Sequence, residues 1–499
     1  MHKESGPLRS TVGFLVLCSL ASSTVSAVNT APPNAAYVDT VNKADVYLQE
    51  LADARVVSGT VAVQKSGQLV YSNAFGFASE ELDVPMKDGL IFPIGSNTKF
   101  FTAVAVYQLQ EKGLLNVTDP VNLYIDPTDF DGLGTLGWCP VLHGKEQLGC
   151  QEPSIKQLLA MTSGILPSDN MGCGTPNSTW TANDWFWQYR LTDLKLSYGD
   201  VGGATGNFFN GQETMAQQLN AQGSLRQPFL FAPGEQYCYT NANFNVMGYV
   251  IEKLSNSSFT DYVTENILKP ANLTNTFYWI GGQGMEPQGL RKNVVSIPGY
   301  LTTFNKSAED GAPAEFQMVQ RTPWWEGDTA YMAAAAGAMY STMEDLLKWY
   351  NTFTTNPEAV GLTKASLKNL TMPIQPLGIP GLNASFGQGI VATGTKNVTN
   401  KLMYVGGIWG FHTHIEMWLN HDDPTQSDAI LYFTNLLSVI PPGSNGTCAI
   451  KSPNGGSPIK LRSSACGGTA EDGGADLTTL VVDELAKMWN ISSTPSDSA

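Results

Sequence analysis

Ser96 and Lys99 are the first pair in this chain whose types and spacing could do chemistry. They sit in the stretch Phe92-Pro93-Ile94-Gly95-Ser96-Asn97-Thr98-Lys99-Phe100-Phe101. A serine hydroxyl is a poor nucleophile until a neighbouring base takes its proton. An amine one helical turn away shares its face of the helix and can be that base. Lysine does so when it is desolvated, which Phe100 and Phe101 favour. The start of a helix also offers N–H groups and positive potential to an oxyanion. The pair S-x-x-K is common by chance, so its weight depends on what the rest of the chain supplies.

The element that must position this pair reads as a helix from Ser96 to Gly113. Phe100, Val104 and Tyr107 recur at helical spacing, Ala103, Ala105 and Val106 fill the gaps, and the pattern predicts burial on most sides. Upstream, 37–55 reads as an amphipathic helix. Residues 59–64 and 68–75 read as a hairpin closed at Ser66-Gly67. Downstream, 155–161 and 245–254 have helical patterns. Ser341-Thr342-Met343-Glu344 is a capping-box pattern opening another helix. Strands are expected over 403–405, 413–419 and 429–435, and a closing helix over 477–489. One sheet built from distant segments follows, with 37–125 and 326–499 forming its α/β part and 126–325 a helical, loop-rich part. Trp180, Trp185 and Trp187 cluster in the long irregular stretch, where packing within an insertion or the lining of a substrate entrance are both open.

Bulk properties narrow the class. The chain has 499 residues, 42% hydrophobic and 14% charged, enough for a substantial core. A net charge of -16 disfavours nucleic acid and anionic membranes as partners. Residues 1–27 read as a signal peptide: His2, Lys3 and Arg9, the apolar run 12–21, then Val25-Ser26-Ala27 as a cleavage site. Residues 28–36 read as a linker. No later stretch is long and apolar enough to span a bilayer, so a secreted product is expected. Cys139, Cys150, Cys173, Cys238, Cys448 and Cys466 remain after the signal, an even number that fits disulfides. Close spacing favours Cys139–Cys150 and Cys448–Cys466, leaving Cys173–Cys238, among many possible pairings. Glycosylation triplets begin at Asn116, Asn177, Asn256, Asn272, Asn305, Asn369, Asn383, Asn397, Asn445 and Asn490. The glycines between 202 and 211 lack the Lys-Ser/Thr of a phosphate loop, and no cofactor is expected.

Taken together the motifs resemble serine hydrolases related to class C β-lactamases and D-alanyl-D-alanine carboxypeptidases, the penicillin-binding-protein-like esterases. The matches are Ser96-Asn97-Thr98-Lys99 for S-x-x-K and Tyr239-Thr240-Asn241 for Y-x-N. Leu158-Leu159-Ala160-Met161-Thr162-Ser163-Gly164 looks like L-L-x-H-T-S-G with methionine in place of histidine. Pro233-Gly234-Glu235 and the run Ala336 to Thr342 fit similarly. The resemblance implies an α/β (α+β) fold in which terminal helices flank an antiparallel sheet beside a helix- and loop-rich domain. It also implies an acyl-enzyme on Ser96. Lys99 and Tyr239 would relay the proton, Asn241 would orient Lys99 and the substrate, and the N–H groups of Ser96 and Gly407 would hold the oxyanion.

The family's third motif, K-T-G or H-x-G, corresponds here to Tyr404-Val405-Gly406-Gly407-Ile408-Trp409. A cation at the first position would hold a substrate carboxylate; Tyr404 offers a hydrogen bond without charge. The expected substrate is therefore a neutral ester or amide, with Trp409 beside an apolar pocket. β-Lactamase or D-aminopeptidase activity and acyl transfer are the alternatives. Two readings of other classes stand beside these. His412 and His414 share one strand face and could ligate a metal, although no H-E-x-x-H accompanies them. A catalytically inactive secreted binding protein is the second, resting on Met161 and Tyr404.

Overall fold

The computed structural model describes residues 35–79, 83–126, 129, 152–165, 215–216, 219, 230–278, 334–377, 384–395, 398–408, 411–440 and 475–491. Of 35, 300–304, 316–320, 334, 408, 437–440, 447–450, 459–462 and 475–477 it describes the backbone alone. In chain order the elements that matter are helix α1 (Val38–Asp53), strands β1 (Gly59–Lys65) and β2 (Gln68–Phe75), helix α2 (Thr98–Glu111) and helix α3 (Ile155–Leu159). Helices α4 (Asn241–Ser255), α5 (Met343–Thr355) and α6 (Lys364–Thr371) follow. The chain then forms β3 (Gln375–Pro376), β4 (Ser385–Phe386), β5 (Val391–Gly394), β6 (Thr399–Ile408), β7 (Phe411–Trp418), β8 (Asp428–Thr434) and helix α7 (Leu477–Met488).

The main sheet has eight strands in the order β3-β4-β5-β6-β7-β8-β1-β2. Every neighbouring pair is antiparallel. Six of its strands, β3 to β8, come from 375–434 and two, β1 and β2, from 59–75, joined where Gly59 pairs with Thr434. A second sheet joins 436–440, 300–304, 316–320 and 475–476, and Leu436–Ser438 runs parallel to Tyr300–Thr302. Strand β6 extends well beyond the three residues that the sequence pattern marks. The helix expected from 245 begins at Asn241.

Alternation along the strands divides the core in two. Ala62, Leu402, Tyr404, Ile415, Met417, Leu431 and Phe433 face the layer of α2, α4 and α5. Val61, Val63, Tyr71, Ile430 and Tyr432 face α1 and α7, where Leu48, Leu51, Val481 and Leu485 cover them. Helix α2 is buried along nearly its whole length, which is why it shows no polar stripe. Phe101 stacks on Trp349 of α5 at 4.5 Å between centroids, and Phe100 meets Phe353 edge-on at the same separation. Two polar side chains of α2 donate to distant backbone: Thr102 Oγ1 to Ala335 O at 2.6 Å and Gln108 Nε2 to Val360 O at 2.7 Å. The start of α5 is set by Thr342, whose hydroxyl accepts from Asp345 N at 3.2 Å. The cap therefore lies one residue beyond Ser341, which is instead hydrogen-bonded to Thr276.

On the α1/α7 face of β7, His414 is fully buried and bonded to Glu416 at 3.2 Å, and Lys401 of β6 contacts the same carboxylate at 2.7 Å. Burial opposes the charge of Glu416, but the His414 hydrogen bond and the Lys401 charge outweigh it and bring its pKa from 4.5 to about 2. A depressed folded-state value means that this contribution is present above the ordinary carboxylate range and is lost as pH falls towards about 2. Glu416→Gln is therefore expected to flatten the fall in unfolding free energy between about pH 4.5 and 2. Urea titrations of both proteins across that window check it; an unchanged slope would contradict the assignment.

Candidate active site

A single 3₁₀ turn, Gly95–Asn97, leads into α2 and presents Ser96 three residues before Lys99. Lys99 is fully buried while Ser96 is partly exposed, so the base lies beneath the nucleophile and away from water. Lys99 Nζ reaches Ser96 Oγ at 3.0 Å, Asn241 Oδ1 at 2.6 Å and Ala336 O at 2.7 Å. Its nitrogen also stands 4.8 Å from the centre of the Tyr239 ring. The Tyr239 hydroxyl donates to Ser96 Oγ at 2.6 Å from the other side.

Three elements thus meet around the pair Lys99 Nζ and Ser96 Oγ. Helix α2 carries Lys99, and the 3₁₀ turn that leads into it carries Ser96. The turn before α4 carries Tyr239, and Asn241 is the first residue of α4 itself. The third is the short helix Ala334–Gly337, which offers a backbone carbonyl. No side-chain pattern in the sequence points to that carbonyl, and Ala336 acts through its main chain alone.

Strand β6 brings Tyr404, Gly406 and Gly407 to the same place. Gly406 admits no side chain, because a Cβ there would lie 2.0 Å from Ile94 O. Gly95, at φ +49°, packs on the Gly407 backbone, and a Cβ at Gly95 would sit 2.9 Å from Gly407 N. This contact sets the Gly407 amide beside the turn that carries Ser96. Asn97 locks it: its Nδ2 donates to Thr413 Oγ1 at 2.8 Å, and Thr413 Oγ1 donates to Ile94 O at 3.1 Å. Sequence reading passed over Asn97 and Thr413, since an Asn inside S-x-x-K and a Thr on a strand look ordinary.

Tyr404 is buried, with its hydroxyl at no ordinary hydrogen-bond distance among the described residues. Burial drives its phenol far above the usual range, and Tyr239, Tyr237 and Tyr350 add to the effect. Tyr404 is therefore neutral and brings no charge to the site. Phe386 of β4 stands among the phenols, 6.3 Å from Tyr239, 6.2 Å from Tyr404 and 5.9 Å from Tyr237 between ring centroids. It makes one wall apolar, and nothing in the sequence pattern marked it.

Other expected residues fall elsewhere. Trp409 lies outside the described residues, as do Cys139, Cys150, Cys173 and Cys466, and Cys448 is described by its backbone. Cys238 is disulfide-bonded. Asn177, Asn305, Asn383, Asn397 and Asn445 are also outside, whereas Asn116, Asn256, Asn272, Asn369 and Asn490 are all exposed. His412 lies over Gly407, with its Nε2 2.6 Å from where a Cβ would be, and His414 belongs to the Glu416 cluster. Among the described residues no three His, Cys, Asp or Glu side chains are grouped to hold a metal, and no helix is long and apolar enough to cross a membrane.

The sequence profile described as Beta-lactamase matches residues 44–437. The chain belongs to the β-lactamase family. Members of this family are serine hydrolases: esterases, amidases and peptidases. A similar protein is the protein flp of Staphylococcus aureus (strain N315), 26% identical over 401 residues, which cover 78% of this chain and 61% of that one. The chain thus spans about three fifths of that relative's length. Among solved structures, EstCE1, a hydrolase with promiscuous acyltransferase activity, superimposes with a TM-score of 0.57 at 18% identity, covering 81% of this chain and 95% of its own. The D-stereospecific amidohydrolase from Streptomyces sp. gives 0.52 at 22%, covering 80% and 94%. These likenesses establish the fold: terminal helices and an antiparallel sheet beside a helical layer.

Because the Gly406 position tolerates no Cβ, Gly406→Ala is expected to destabilise the protein by about 2–3 kcal/mol through overpacking. It should also displace the Gly407 amide from Ser96. Thermal melting and labelling of Ser96 by a fluorophosphonate check both; a variant that melts and labels like the wild type would contradict the close approach.

Proposed function

We propose that this chain is an exported serine hydrolase that forms an acyl-enzyme on Ser96 from a neutral ester or amide. The observation that carries the reading is the convergence of Lys99 Nζ and Tyr239 OH on Ser96 Oγ, at 3.0 and 2.6 Å. As an ammonium, Lys99 donates to Ser96, Asn241 and Ala336. As a free amine it has two protons left, and the amide oxygen of Asn241 and the carbonyl of Ala336 can only accept. Both protons go to them, and the lone pair is left facing Ser96 Oγ. The hydroxyl proton then passes to Lys99 as Oγ attacks the carbonyl carbon.

The negative oxygen that develops would lie between the N–H groups of Ser96 and Gly407. Collapse of the intermediate expels an alcohol or amine, which takes its proton from Tyr239, and Tyr239 recovers one through Lys99. Water reverses the sequence: it gives its proton to the same pair, attacks the acyl carbon, and frees Ser96 Oγ. Substrate neutrality follows from Tyr404 and Phe386, which supply a phenol donor and an apolar wall where a cation would be needed for a carboxylate. The amide side of the reading finds support in the D-stereospecific amidohydrolase. EstCE1's acyltransferase activity favours a second outcome for the same acyl-enzyme, capture by an alcohol in place of water.

Export rests on the N-terminal 1–27 pattern, the disulfide at Cys238, and the exposure of every sequon asparagine among the described residues. The pairings Cys139–Cys150, Cys173–Cys238 and Cys448–Cys466 remain part of the proposal.

Wild type and Ser96→Ala should be compared on p-nitrophenyl butyrate, D-phenylalanine amide and nitrocefin. Ester cleavage is expected to be fastest, and Ser96→Ala to lower it at least ~10³-fold. Full activity in Ser96→Ala would remove the acyl-enzyme, and a preference for nitrocefin would overturn the neutral-substrate reading. Added butanol that diverts product to butyl butyrate would establish transfer.

A further inference from the structure

Met161 stands where the resembling motif has histidine, and within the hydrophobic core it also makes polar contacts that a core-filling methionine would not. It follows α3 in the left-handed region at φ +60°, uncommon for a residue with a long side chain, and is fully buried. Such a backbone persists only where its surroundings hold it. Here they do: Met161 O accepts from Cys238 N at 2.9 Å, Thr162 O from Gly234 N at 2.7 Å, and Gly164 O from Leu230 N at 2.8 Å. The segment 161–164 is thereby laced to 230–238, the stretch that leads into Tyr239.

The side chain continues that lacing across Tyr239. Met161 Sδ accepts from Thr240 N at 3.5 Å and from Asn243 Nδ2 at 3.4 Å. Thr240 is the N-cap of α4 and makes no side-chain cap, and its buried hydroxyl has no hydrogen-bond partner among the described residues. Asn243 Oδ1 in turn accepts from Ser163 Oγ at 2.6 Å. Tyr239 and Asn241 are therefore flanked by three donors, Cys238 N, Thr240 N and Asn243 Nδ2, that all end on this one methionine.

We propose that Met161 is a positioning residue for the Ser96 site: its carbonyl and thioether sulfur together set the turn from which Tyr239 OH reaches Ser96 and Asn241 Oδ1 reaches Lys99. The inference rests on the reading of Ser96 as nucleophile with Tyr239 as proton donor, and deepens it by naming what holds the phenol in line. A thioether is a weak acceptor. Losing it should loosen the turn without undoing the three backbone hydrogen bonds around it.

The test compares Met161→Leu, which keeps volume and removes the acceptor, with Met161→His, which restores a ring-nitrogen acceptor and suits the left-handed backbone. Steady-state kinetics on p-nitrophenyl butyrate and thermal melting are read on both. Met161→Leu is expected to lower kcat about tenfold with KM within twofold and a melting temperature close to wild type; Met161→His is expected to recover kcat to within about threefold. Wild-type kcat in Met161→Leu, or a folded Met161→His no better than Met161→Leu, would overturn the proposal. If Met161→Leu does not fold, Met161→His decides alone: near-wild-type kcat supports the role, and a tenfold loss in the folded variant rejects it. Ser96→Ala separates the two levels, since activity that survives it defeats the nucleophile reading, whereas activity lost in Ser96→Ala and kept in Met161→Leu defeats only the present one.

Discussion

A lysine amine with no exposure to water is the constraint around which the helical layer is arranged. A buried amine is costly unless each of its protons finds an acceptor. Lys99 meets that demand with oxygens from three separate places: Ser96 in the turn that leads into its helix, Asn241 at the start of α4, and the Ala336 carbonyl. Satisfying the amine and building the site are thus the same act. The packing of α2 against α4 and α5, with Phe101 stacked on Trp349 and Phe100 against Phe353, is what keeps those oxygens at contact distance.

The sheet contributes through close approach. Where most strands meet a helix through side chains, β6 meets the Ser96 turn backbone to backbone, at Gly406 against Ile94 and Gly407 against Gly95. Asn97 and Thr413 bridge the same gap with side-chain hydrogen bonds. Alternation along β6 and β7 then sorts the polar groups by face. Tyr404 and Thr413 turn towards the helical layer, while His414 and Glu416 turn towards α1 and α7, where Lys401 neutralises the carboxylate. On the face away from Ser96, His414 accordingly hydrogen-bonds Glu416 and His412 packs over Gly407.

The two phenols near Ser96 differ sharply in their surroundings. Tyr239 is partly exposed and bonded to the nucleophile, whereas Tyr404 is sealed, neutral and set against Phe386. Two tyrosines on one aromatic wall therefore do different work, and burial is what separates them. The same wall places a neutral phenol and an apolar ring near Ser96.

What the sequence by itself determined is what local geometry dictates. Ser96 and Lys99 lie three apart on a helix whose apolar residues were plain, so their contact follows from helical pitch. The hairpin of β1 and β2, the strands near 413–419 and 429–435, and the closing helix were read from alternation and periodicity in the same way. Tyr239 and Asn241 were found through a motif, which names residues without saying what holds them. Only the tertiary structure decided that the Ala336 carbonyl, 237 residues from Lys99 along the chain, would accept its third contact, or that Phe386 would wall the phenols. It decided too that a methionine sulfur would receive the Thr240 amide. A backbone oxygen carries no side-chain signature, and a thioether in an apolar run looks like filler. Both acquire their role only when distant segments pack, because proximity across such separations is set by the shape of the core.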